Sequence, residues 1–522
     1  MSDSKIDIIS VVESKLGDKV QIQLGQLGTA AINTSNGLHR EVLKAMIEAD
    51  EKTGITAITG VDLGTNLGVL YHTHTSNAFV TIRAEVPKDN PKIQTIVDLI
   101  PGAAFHEFEV SDLLGVIFVG NELKGHLVLS ENWPEGIYPL RKDVKATEVK
   151  LNPAPEEKLQ DIGKLVKIII GPQHPALLEP EKFAVTVDGE TVTKVEPRIG
   201  YVHRGIEKAS ESRTYIQDVY LVERICGICN ACHAYGFVAA TEKILKTEVP
   251  ERAKYLRVVA LELNRLHSHL LTLGHAGLEI GYETLFQYFW RDREPIMDLI
   301  ELTSGNRVYA SLMTIGGVRR DLKDTDFPKI RTTLEDLRKK LPFYRQIYEN
   351  EPSIKARMRN VGTLSREDAI KLCVVGPVAR GSGYDIDVRK DDPYEVYNEI
   401  PFKKIVYAEG DTWARQNVRM DEVEESINII QYALDHMPKG PFRTDVPRNV
   451  IVGEAVSRNE APRGELFYYV KSNGTSMPER VKVRTPTFAN IPSFLKTAIG
   501  ESIADVPPNF VSLDPCFSCT DR

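Results

Sequence analysis

Arg224-Ile-Cys-Gly-Ile-Cys229 lies near the middle of the 522-residue sequence, and Asp514-Pro-Cys-Phe-Ser-Cys519 lies close to its end. Each stretch contains a Cys-x-x-Cys pair, and thiolate is a soft ligand that suits nickel, iron, copper or zinc. Two such pairs can close four sulfur atoms around one metal or a pair of metals. Because Cys229 and Cys516 are 287 positions apart, this site forms only when the whole fold closes. We therefore expect metal insertion and folding to be coupled.

The spacing of the cysteines alone leaves more than one kind of site open. Structural zinc ribbons place their two pairs about 15–20 residues apart, far closer than here. A redox dithiol needs only one Cys-x-x-Cys pair beside a βαβ unit. A buried redox-active metal centre is the third kind, and spacing does not separate it from zinc. Cys232 and Cys373 stand outside the pairs and are predicted to be small buried hydrophobic residues.

The composition is typical of a globular protein, with 42% apolar and 26% charged residues. A length of 522 residues predicts two to four domains. The net charge of −8 gives no support to nucleic-acid binding. The sequence has no run of apolar residues long enough to span a membrane, and its first residues lack the apolar core of a signal peptide. Six cysteines do not form a disulfide framework in so long a chain, so we expect a reducing, cytoplasmic compartment.

Residues 1–150 are predicted to form a small α+β domain. Apolar residues recur at helical spacing over 39–50. The stretches 68–74 and 78–86 resemble strands, and the second alternates with the two-residue period of a half-buried strand. A further helix is predicted over 93–100.

The rest of the chain is predicted to be a linker followed by a mainly α-helical domain with short peripheral strands. Residues 151–164, rich in proline and charge, form the predicted linker, and residues 165–522 form the helical domain. A strand is predicted from Leu165, and a hairpin from Phe183 with Asp188-Gly189 as its turn. Long helices, typical of a bundle, are predicted over 250–274, 284–304, 328–349 and 420–434. The fold class predicted for the whole chain is therefore α+β.

The residues around the cysteines resemble the two signatures of nickel–iron hydrogenase large subunits, Arg-x-Cys-Gly-x-Cys-x-x-x-His and Asp-Pro-Cys-x-x-Cys. Both are intact here, in Arg224, Cys226, Gly227, Cys229 and His233, and in Asp514, Pro515, Cys516 and Cys519. The resemblance implies a dinuclear nickel–iron centre in which Cys226 and Cys516 are terminal nickel ligands. It also implies that Cys229 and Cys519 bridge nickel to an iron that carries cyanide and carbon monoxide. No further cysteines are left for an iron–sulfur cluster in this chain.

Three residues match positions close to that centre in the family. Arg463 resembles an arginine suspended above the metals, where a fixed cation stabilises developing charge. Glu179 resembles the glutamate that exchanges protons with a nickel-bound thiolate, here that of Cys516, a role for which burial would have to raise its pKa. His233 follows Cys229 by four residues on a predicted helix, so we expect it to donate a hydrogen bond to the Cys229 sulfur.

Further matches are less specific. His174 in Gly171-Pro-Gln-His-Pro175 and Arg380 match the branch of the family related to complex I, and we expect them around the centre or on a proton path. Glu207, 19 residues before Cys226, matches a glutamate that binds a separate magnesium or iron ion. The family's other side-chain ligand is often a C-terminal histidine, whereas this sequence has Arg522 there. A chain that ends at Arg522 also resembles the mature form left after a tail is removed.

The N-terminal part carries a second resemblance. Residues 105–115 and 133–143 resemble the signature of the 30-kDa-type peripheral subunit of respiratory complex I, which implies a docking role. The fusion of both parts is most similar to large subunits of formate-hydrogenlyase-type enzymes, in the energy-converting group 4 of [NiFe] hydrogenases. This implies reversible formation and cleavage of hydrogen, mainly proton reduction, at the cytoplasmic side of the cell membrane.

The resemblance also implies partners. These are an iron–sulfur small subunit similar to the 20-kDa subunit of complex I, ferredoxin-like subunits, ion-translocating membrane subunits and formate dehydrogenase. Two other functions remain open from the sequence. One is a complex-I-like subunit that handles quinone or polysulfide without hydrogenase activity. The other is a structural zinc scaffold.

Overall fold

The computed structural model describes residues 8–24, 29–35, 37–153, 163–175 and 177–522. Most of the predicted linker, residues 154–162, lies outside these ranges. Within them, no helix has both the length and the apolar character that crossing a bilayer requires.

The N-terminal part is built on a five-stranded sheet. Its elements are α1 Ile8–Leu16, β1 Gln21–Leu24, β2 Thr29–Thr34, α2 Leu38–Ala49, β3 Gly54–Asp62, β4 Asn66–His74, β5 Phe79–Pro87, β6 Lys92–Gln94, α3 Ala104–Leu114 and β7 Ile117–Val119. The strand order is β1-β2-β5-β4-β3, and β2 runs parallel to β5 while the other pairs are antiparallel. The predicted helix over 39–50 and the two predicted strands are confirmed.

The helix predicted over 93–100 is wrong. Ile93 lies in β6, which pairs in parallel with β7. The amide of Ile96 donates to the Glu107 carboxylate at 2.8 Å rather than to a helical carbonyl. Ile93, Ile96 and Ile100 are all buried. Their helix-like spacing therefore reflects burial in irregular chain.

The middle of the chain begins with a small antiparallel sheet and continues in helices. Its elements are β8 Val166–Ile170, β9 Lys182–Asp188, β10 Thr191–Arg198, α4 Ile206–Ser210, α5 Tyr215–Glu223, α6 Asn230–Leu245, α7 Glu251–Glu279, α8 Glu283–Ser304, β11 Met313–Thr314, β12 Gly317–Val318, α9 Phe327–Arg338 and α10 Leu341–Asn350. Pairing of Asp188 with Thr191 confirms the predicted hairpin, but its two turn residues are Gly189 and Glu190 rather than Asp188 and Gly189.

Three predicted helices differ from those observed, and the one predicted over 420–434 spans Thr412–His436. α7 does not end at Gly274 but continues to Glu279. A Cβ added at Gly274 would lie only 3.0 Å from the Phe289 Cβ, so the missing side chain lets α8 pack closely against α7. The helix predicted over 328–349 is two helices, α9 and α10, and Pro342 lies in the first turn of the second. Proline lacks the amide that an uninterrupted helix needs.

The last part completes the core. Its elements are α11 Pro352–Met358, α12 Arg366–Lys371, α13 Gly376–Gly381, α14 Val388–Asp391, α15 Thr412–His436, β13 Gly453–Ala461, β14 Gly464–Ser472, β15 Pro478–Arg484, α16 Pro486–Thr497, α17 Val506–Ser512 and α18 Phe517–Asp521. Strands β13, β14 and β15 form an antiparallel sheet.

Two large hydrophobic cores and one smaller cluster hold these elements together. One is centred on α6, α7 and α15 and includes the four paired cysteines. The other joins the two predicted domains, because Ile58 and Val110 of the N-terminal part share it with Ala379 and Phe488. In the smaller cluster, Val61 and Phe79 of the N-terminal sheet pack with Phe467 and Tyr469 of β14.

Candidate metal centre

Two loops bring four cysteine thiols together in the interior. Cys229 immediately precedes α6, and Cys516 immediately precedes α18. The Sγ atoms of Cys226 and Cys516 are 3.4 Å apart, and those of Cys229 and Cys519 are also 3.4 Å apart. All four side chains are buried. Sulfurs from sequence-distant pairs thus form one compact cluster.

This cluster fits a thiolate-bound metal. Tetrahedral thiolates about 2.3 Å from a metal stand about 3.8 Å from one another, close to the observed separations. The amides of Ile228 and Cys229 approach the Cys226 sulfur at 3.2 and 3.3 Å, where they stabilise a thiolate.

The four thiols do not share one proton affinity. Hydrogen bonds from Cys229, Cys516 and Cys519 hold the pKa of Cys226 well below its usual value. Donation to Cys226 raises the pKa of Cys229 and Cys516, and burial raises that of Cys519. A metal that binds here must displace the remaining protons, so its affinity rises with pH.

Arg204 joins the two cysteine loops. Its guanidinium donates to the carbonyls of Arg224 and Ile225 at 2.9 and 3.0 Å, and to that of Ser518 at 2.8 Å. Sequence reasoning missed this residue. Its partners are backbone atoms that lie 20, 21 and 314 positions from it in sequence, and no motif marks it.

Two side chains of helix α7 contact the first cysteine loop, which contains Cys226 and Cys229. Asn264 and His267, three residues apart and so on one helical face, both donate to the Ile228 carbonyl at 2.6 and 2.8 Å. The long helix predicted from periodicity thus positions the carbonyl between Cys226 and Cys229.

His233 contacts the second cysteine loop, whereas a contact with the first was predicted. Its Nε2 lies 3.4 Å from the Cys519 sulfur, whereas the hydrogen bond was expected at Cys229. The His233 amide donates to the Cys229 carbonyl, as in a helix, while the ring extends across the cluster. The ring's Nδ1 is 2.7 Å from the Tyr468 hydroxyl, a partner that the sequence did not indicate. Burial lowers the pKa of His233 to about 4, so the ring is neutral near pH 7.

Arg463 lies beside the cysteines and is fixed by Asp514. Its Nε donates to the Asp514 carbonyl at 2.7 Å and its Nη2 to the carboxylate at 2.9 Å. Burial opposes its charge, but Asp514 and the sulfurs of Cys516 and Cys226 outweigh burial and hold the pKa of Arg463 above its usual value. Its buried Nη1 has no acceptor among the described residues. The guanidinium therefore keeps one donor for a group bound at the cluster.

Glu179 contacts the second cysteine loop. Its carboxylate accepts the Ser518 amide at 2.7 Å and also the Ser518 hydroxyl. Ser518 follows Cys516 by two residues and precedes Cys519 by one, so the Glu179 carboxylate contacts the loop that carries both cysteines. His174 lies in the same exposed loop, and with Glu179 it lines an open cavity of about 490 Å³.

Arg380 belongs to a buried ion network. It donates to Glu422 at 2.9 Å and to Glu460 at 2.8 Å. Burial raises the pKa of Glu460 to about 7. These contacts join α13, α15 and β13, and they hold the strand that leads to Arg463.

The surroundings of Glu207 do not fit the predicted magnesium or iron ion. Arg480 Nη1 is 2.8 Å from its carboxylate, Lys482 Nζ is 3.4 Å away and Arg522 Nε is 4.0 Å away. Lys482 and Arg522 also pair with Glu109 of α3. Burial opposes the charge of Glu207, but Lys482 and Arg480 outweigh it and lower its pKa. Divalent cations need several oxygen ligands, whereas here protein cations already neutralise the carboxylates.

Three segments of the chain are similar to known protein families. Residues 279–452 and 447–522 match the respiratory-chain NADH dehydrogenase 49 Kd subunit, and residues 34–150 match the 30 Kd subunit of the same enzyme. Residues 204–276, which contain Cys226 and Cys229, match the nickel-dependent hydrogenase family.

Individual relatives span most of the chain. Membrane-bound hydrogenase subunit alpha of Pyrococcus furiosus is 42% identical over 68% of this chain and 87% of its own length. Formate hydrogenlyase subunit 5 of Escherichia coli is 35% identical over 86% of this chain and 80% of its own.

A solved structure, that of the membrane-bound sulfane sulfur reductase, an archaeal respiratory membrane complex, contains a chain that is 33% identical. It superposes with a TM-score of 0.67 over 70% of this chain and 100% of that chain. This chain therefore belongs to the family that unites complex I 49-kDa-type subunits with nickel-dependent hydrogenase large subunits, here fused to a 30-kDa-type N-terminal part.

Proposed function

We propose that this chain is the catalytic subunit of a membrane-associated [NiFe] hydrogenase that forms and cleaves H2 reversibly, mainly in the direction of proton reduction. The observation that carries the proposal is the meeting of two Cys-x-x-Cys loops in one buried cluster. The sequence similarity to a membrane-bound hydrogenase subunit supports it.

Each residue at the cluster then has a role. A nickel–iron pair, its iron carrying cyanide and carbon monoxide, would supply heterolytic cleavage of hydrogen. Cys226, Cys229, Cys516 and Cys519 would hold it. Arg463 keeps a fixed positive charge and a free N–H beside the sulfurs. Glu179 is placed at Ser518 to exchange protons with the Cys516 side of the cluster.

The partners follow from the same proposal. Electrons would enter from an iron–sulfur small subunit, because only Cys232 and Cys373 lie outside the cluster. We assign the N-terminal part a docking role at such partners. The relatives' names favour membrane subunits, and similarity to formate hydrogenlyase subunit 5 along both parts of the chain favours the formate-hydrogenlyase type at the cytoplasmic face of the membrane.

Isotope exchange between D2 and water tests the proposal on the purified complex. We expect HD formation by the native complex, and its loss together with nickel in Cys516→Ala. Cys373→Ala, which removes a buried thiol outside the cluster, serves as the matched control and should keep both. A complex that contains nickel but forms no HD would refute the proposed activity.

A second candidate is a quinone- or sulfur-handling subunit without hydrogenase activity. The open cavity lined by His174 and the likeness to the sulfane sulfur reductase favour it. The same preparation separates the two candidates, because a nickel-free complex that reduces polysulfide or quinone would support the second. Stoichiometric zinc without either activity would support a structural scaffold.

A further inference from the structure

Glu109 is a buried carboxylate of the N-terminal part whose partners lie close to the other end of the chain. It belongs to α3, and its side chain is fully buried. One carboxylate oxygen accepts Lys482 and the other accepts Arg522, which are 373 and 413 positions away in sequence. Both cations are buried as well. The N-terminal part therefore contacts, through one carboxylate, the residue that follows α18.

Arg522 is also held by two further elements. Its guanidinium donates to the Val483 carbonyl of β15 and lies over the Phe488 ring of α16, 5.2 Å from the ring centre. The Glu207 carboxylate is 4.0 Å from Arg522 Nε, which is too far for a hydrogen bond. Among the described residues, Glu109 is thus the carboxylate that pairs with this guanidinium through a hydrogen bond.

The short helix α18 connects Arg522 to two of the cysteines. Cys516 immediately precedes this helix, Cys519 lies within it and Arg522 follows it. The Thr520 amide donates to the Cys516 carbonyl at 3.1 Å, and the Arg522 amide reaches the Ser518 carbonyl at 3.3 Å. A helical turn contains about 3.6 residues, so Cys519 and Arg522 are about one turn apart. A displacement of Arg522 should therefore be transmitted to the loop that carries both sulfurs.

Removal of the Glu109 charge would affect its two partners differently. Lys482 Nζ also lies 3.4 Å from the Glu207 carboxylate, so it keeps an ion pair. Arg522 would keep no carboxylate within hydrogen-bonding distance among the described residues. A buried cation that loses its partner is strongly destabilised. We therefore expect Arg522 to move toward solvent and to take the end of α18 with it.

We propose that Glu109 is a positioning residue of the metal centre. Through Arg522 it holds α18, and with it Cys516 and Cys519, in the place where their sulfurs meet those of the first cysteine loop and retain a metal. The inference rests on the proposed function for the identity of that metal. It gives the N-terminal part a role in completing the centre, in addition to the docking role assigned above.

Release of nickel from the purified complex into excess chelator tests this role. Glu109→Gln keeps the size of the side chain and removes its charge, so we expect release to be about tenfold faster or more, as for other groups that orient metal ligands. Arg83→Gln is the matched control, because it removes another ion pair between the same two parts, that of Arg83 with Glu454, which joins β5 to β13. It should keep the native rate. A native rate in Glu109→Gln, or equal acceleration in both variants, would overturn the inference.

A variant on the helix side tests the same pair. Arg522→Gln leaves Glu109 paired with Lys482, so no buried carboxylate loses its last cation. We expect the same faster release of nickel. Because residues of one ion pair act together, the double variant Glu109→Gln/Arg522→Gln should release nickel no faster than the faster single variant. Effects that multiply in the double variant would show that the two residues act separately, against the inference.

Hydrogen exchange of the amides over 517–522, followed by mass spectrometry of the complex, reads the position of α18 without relying on activity. We expect faster exchange in Glu109→Gln and Arg522→Gln, and native exchange in Arg83→Gln. Native exchange in Glu109→Gln would overturn the inference. Faster exchange in that variant of a complex that contains zinc and forms no HD would support the inference and refute the proposed function.

Discussion

Glu179 and Glu207 are both glutamates that a family motif marks near the cysteines, yet their surroundings are opposite. Glu179 accepts hydrogen bonds from Ser518 and lies at an open cavity. Glu207 is buried against Arg480, Lys482 and Arg522. One carboxylate keeps neutral donors as partners, and the other is neutralised by fixed cations.

Because their partners differ, Glu179 and Glu207 are expected to have different roles. Glu179, whose described hydrogen-bond donors both belong to Ser518, is the residue proposed to exchange protons with the cluster. Glu207 lies inside a cluster of cations and therefore stays ionised. The same cluster joins the N-terminal part to the C-terminal segment through the ion pair of Glu109 with Arg522. Substitution of each glutamate should therefore change a different property.

The largest effect is expected at Glu179. Glu179→Gln keeps the size of the side chain and its contact with Ser518 but cannot carry a proton, so hydrogen evolution should fall about a thousandfold, within the range of general acid–base catalysis. Nickel content and thermal stability should stay native, and Glu190→Gln, at an exposed position of the β9–β10 hairpin, provides the control. An activity within about threefold of native would show that Glu179 does not transfer protons to or from the cluster.

Glu207→Gln should change stability rather than chemistry. The substitution leaves Lys482 and Arg522 with Glu109 and removes the carboxylate that pairs with Arg480 among the described residues. Loss of one partner from a buried ion pair costs about 3 kcal/mol. We expect a lower free energy of unfolding in denaturant titrations of the full-length chain. EDTA should leave the unfolding of the native chain unchanged. A marked loss of stability in EDTA, with release of magnesium or iron, would restore the metal site at Glu207.

The contributions of Glu181 and Glu207 to the pH dependence of stability should have opposite signs. Burial raises the pKa of Glu181 to about 11, so above about pH 4.3 the unfolded chain has lost a proton that the folded chain keeps. Stability therefore falls as pH rises toward 11, by about 1.4 kcal/mol per pH unit. The pKa of Glu207 is lowered, so its contribution is present above the unfolded pKa and is lost as pH falls below it.

Unfolding of native and Glu181→Gln chains between about pH 7 and pH 9 measures the first of these slopes. Other titrating groups are common to both chains, so they cancel in the difference. We expect the native chain to lose about 3 kcal/mol more than the variant over this range. Parallel curves would show that Glu181 is not a neutral acid in the folded state.

Local pattern predicted much of the fold, and its failures have physical reasons. Long helices such as α7 and α8 were recognised because one face is apolar over many turns. The region over 93–100 was misassigned because buried isoleucines at helix-like intervals also occur in irregular chain. The break between α9 and α10 was missed although Pro342 marks it.

The candidate metal centre was also predicted only in part from the sequence. The order and identity of the four cysteines could be read from two motifs, and Arg463 from a separate resemblance to a family arginine. Arg204 and Tyr468 could not, because each acts through a partner far away in sequence. The partner of His233 was assigned wrongly since helical spacing fixes its backbone but not the direction of its ring.

The account depends most on what the four sulfurs bind, and infrared spectroscopy of the purified complex, with metal analysis of the same sample, tests this directly. We predict bands of metal-bound carbon monoxide and cyanide, with nickel at one atom per chain and loss of both in Cys516→Ala. One zinc atom per chain, with no such bands, would contradict the central claim.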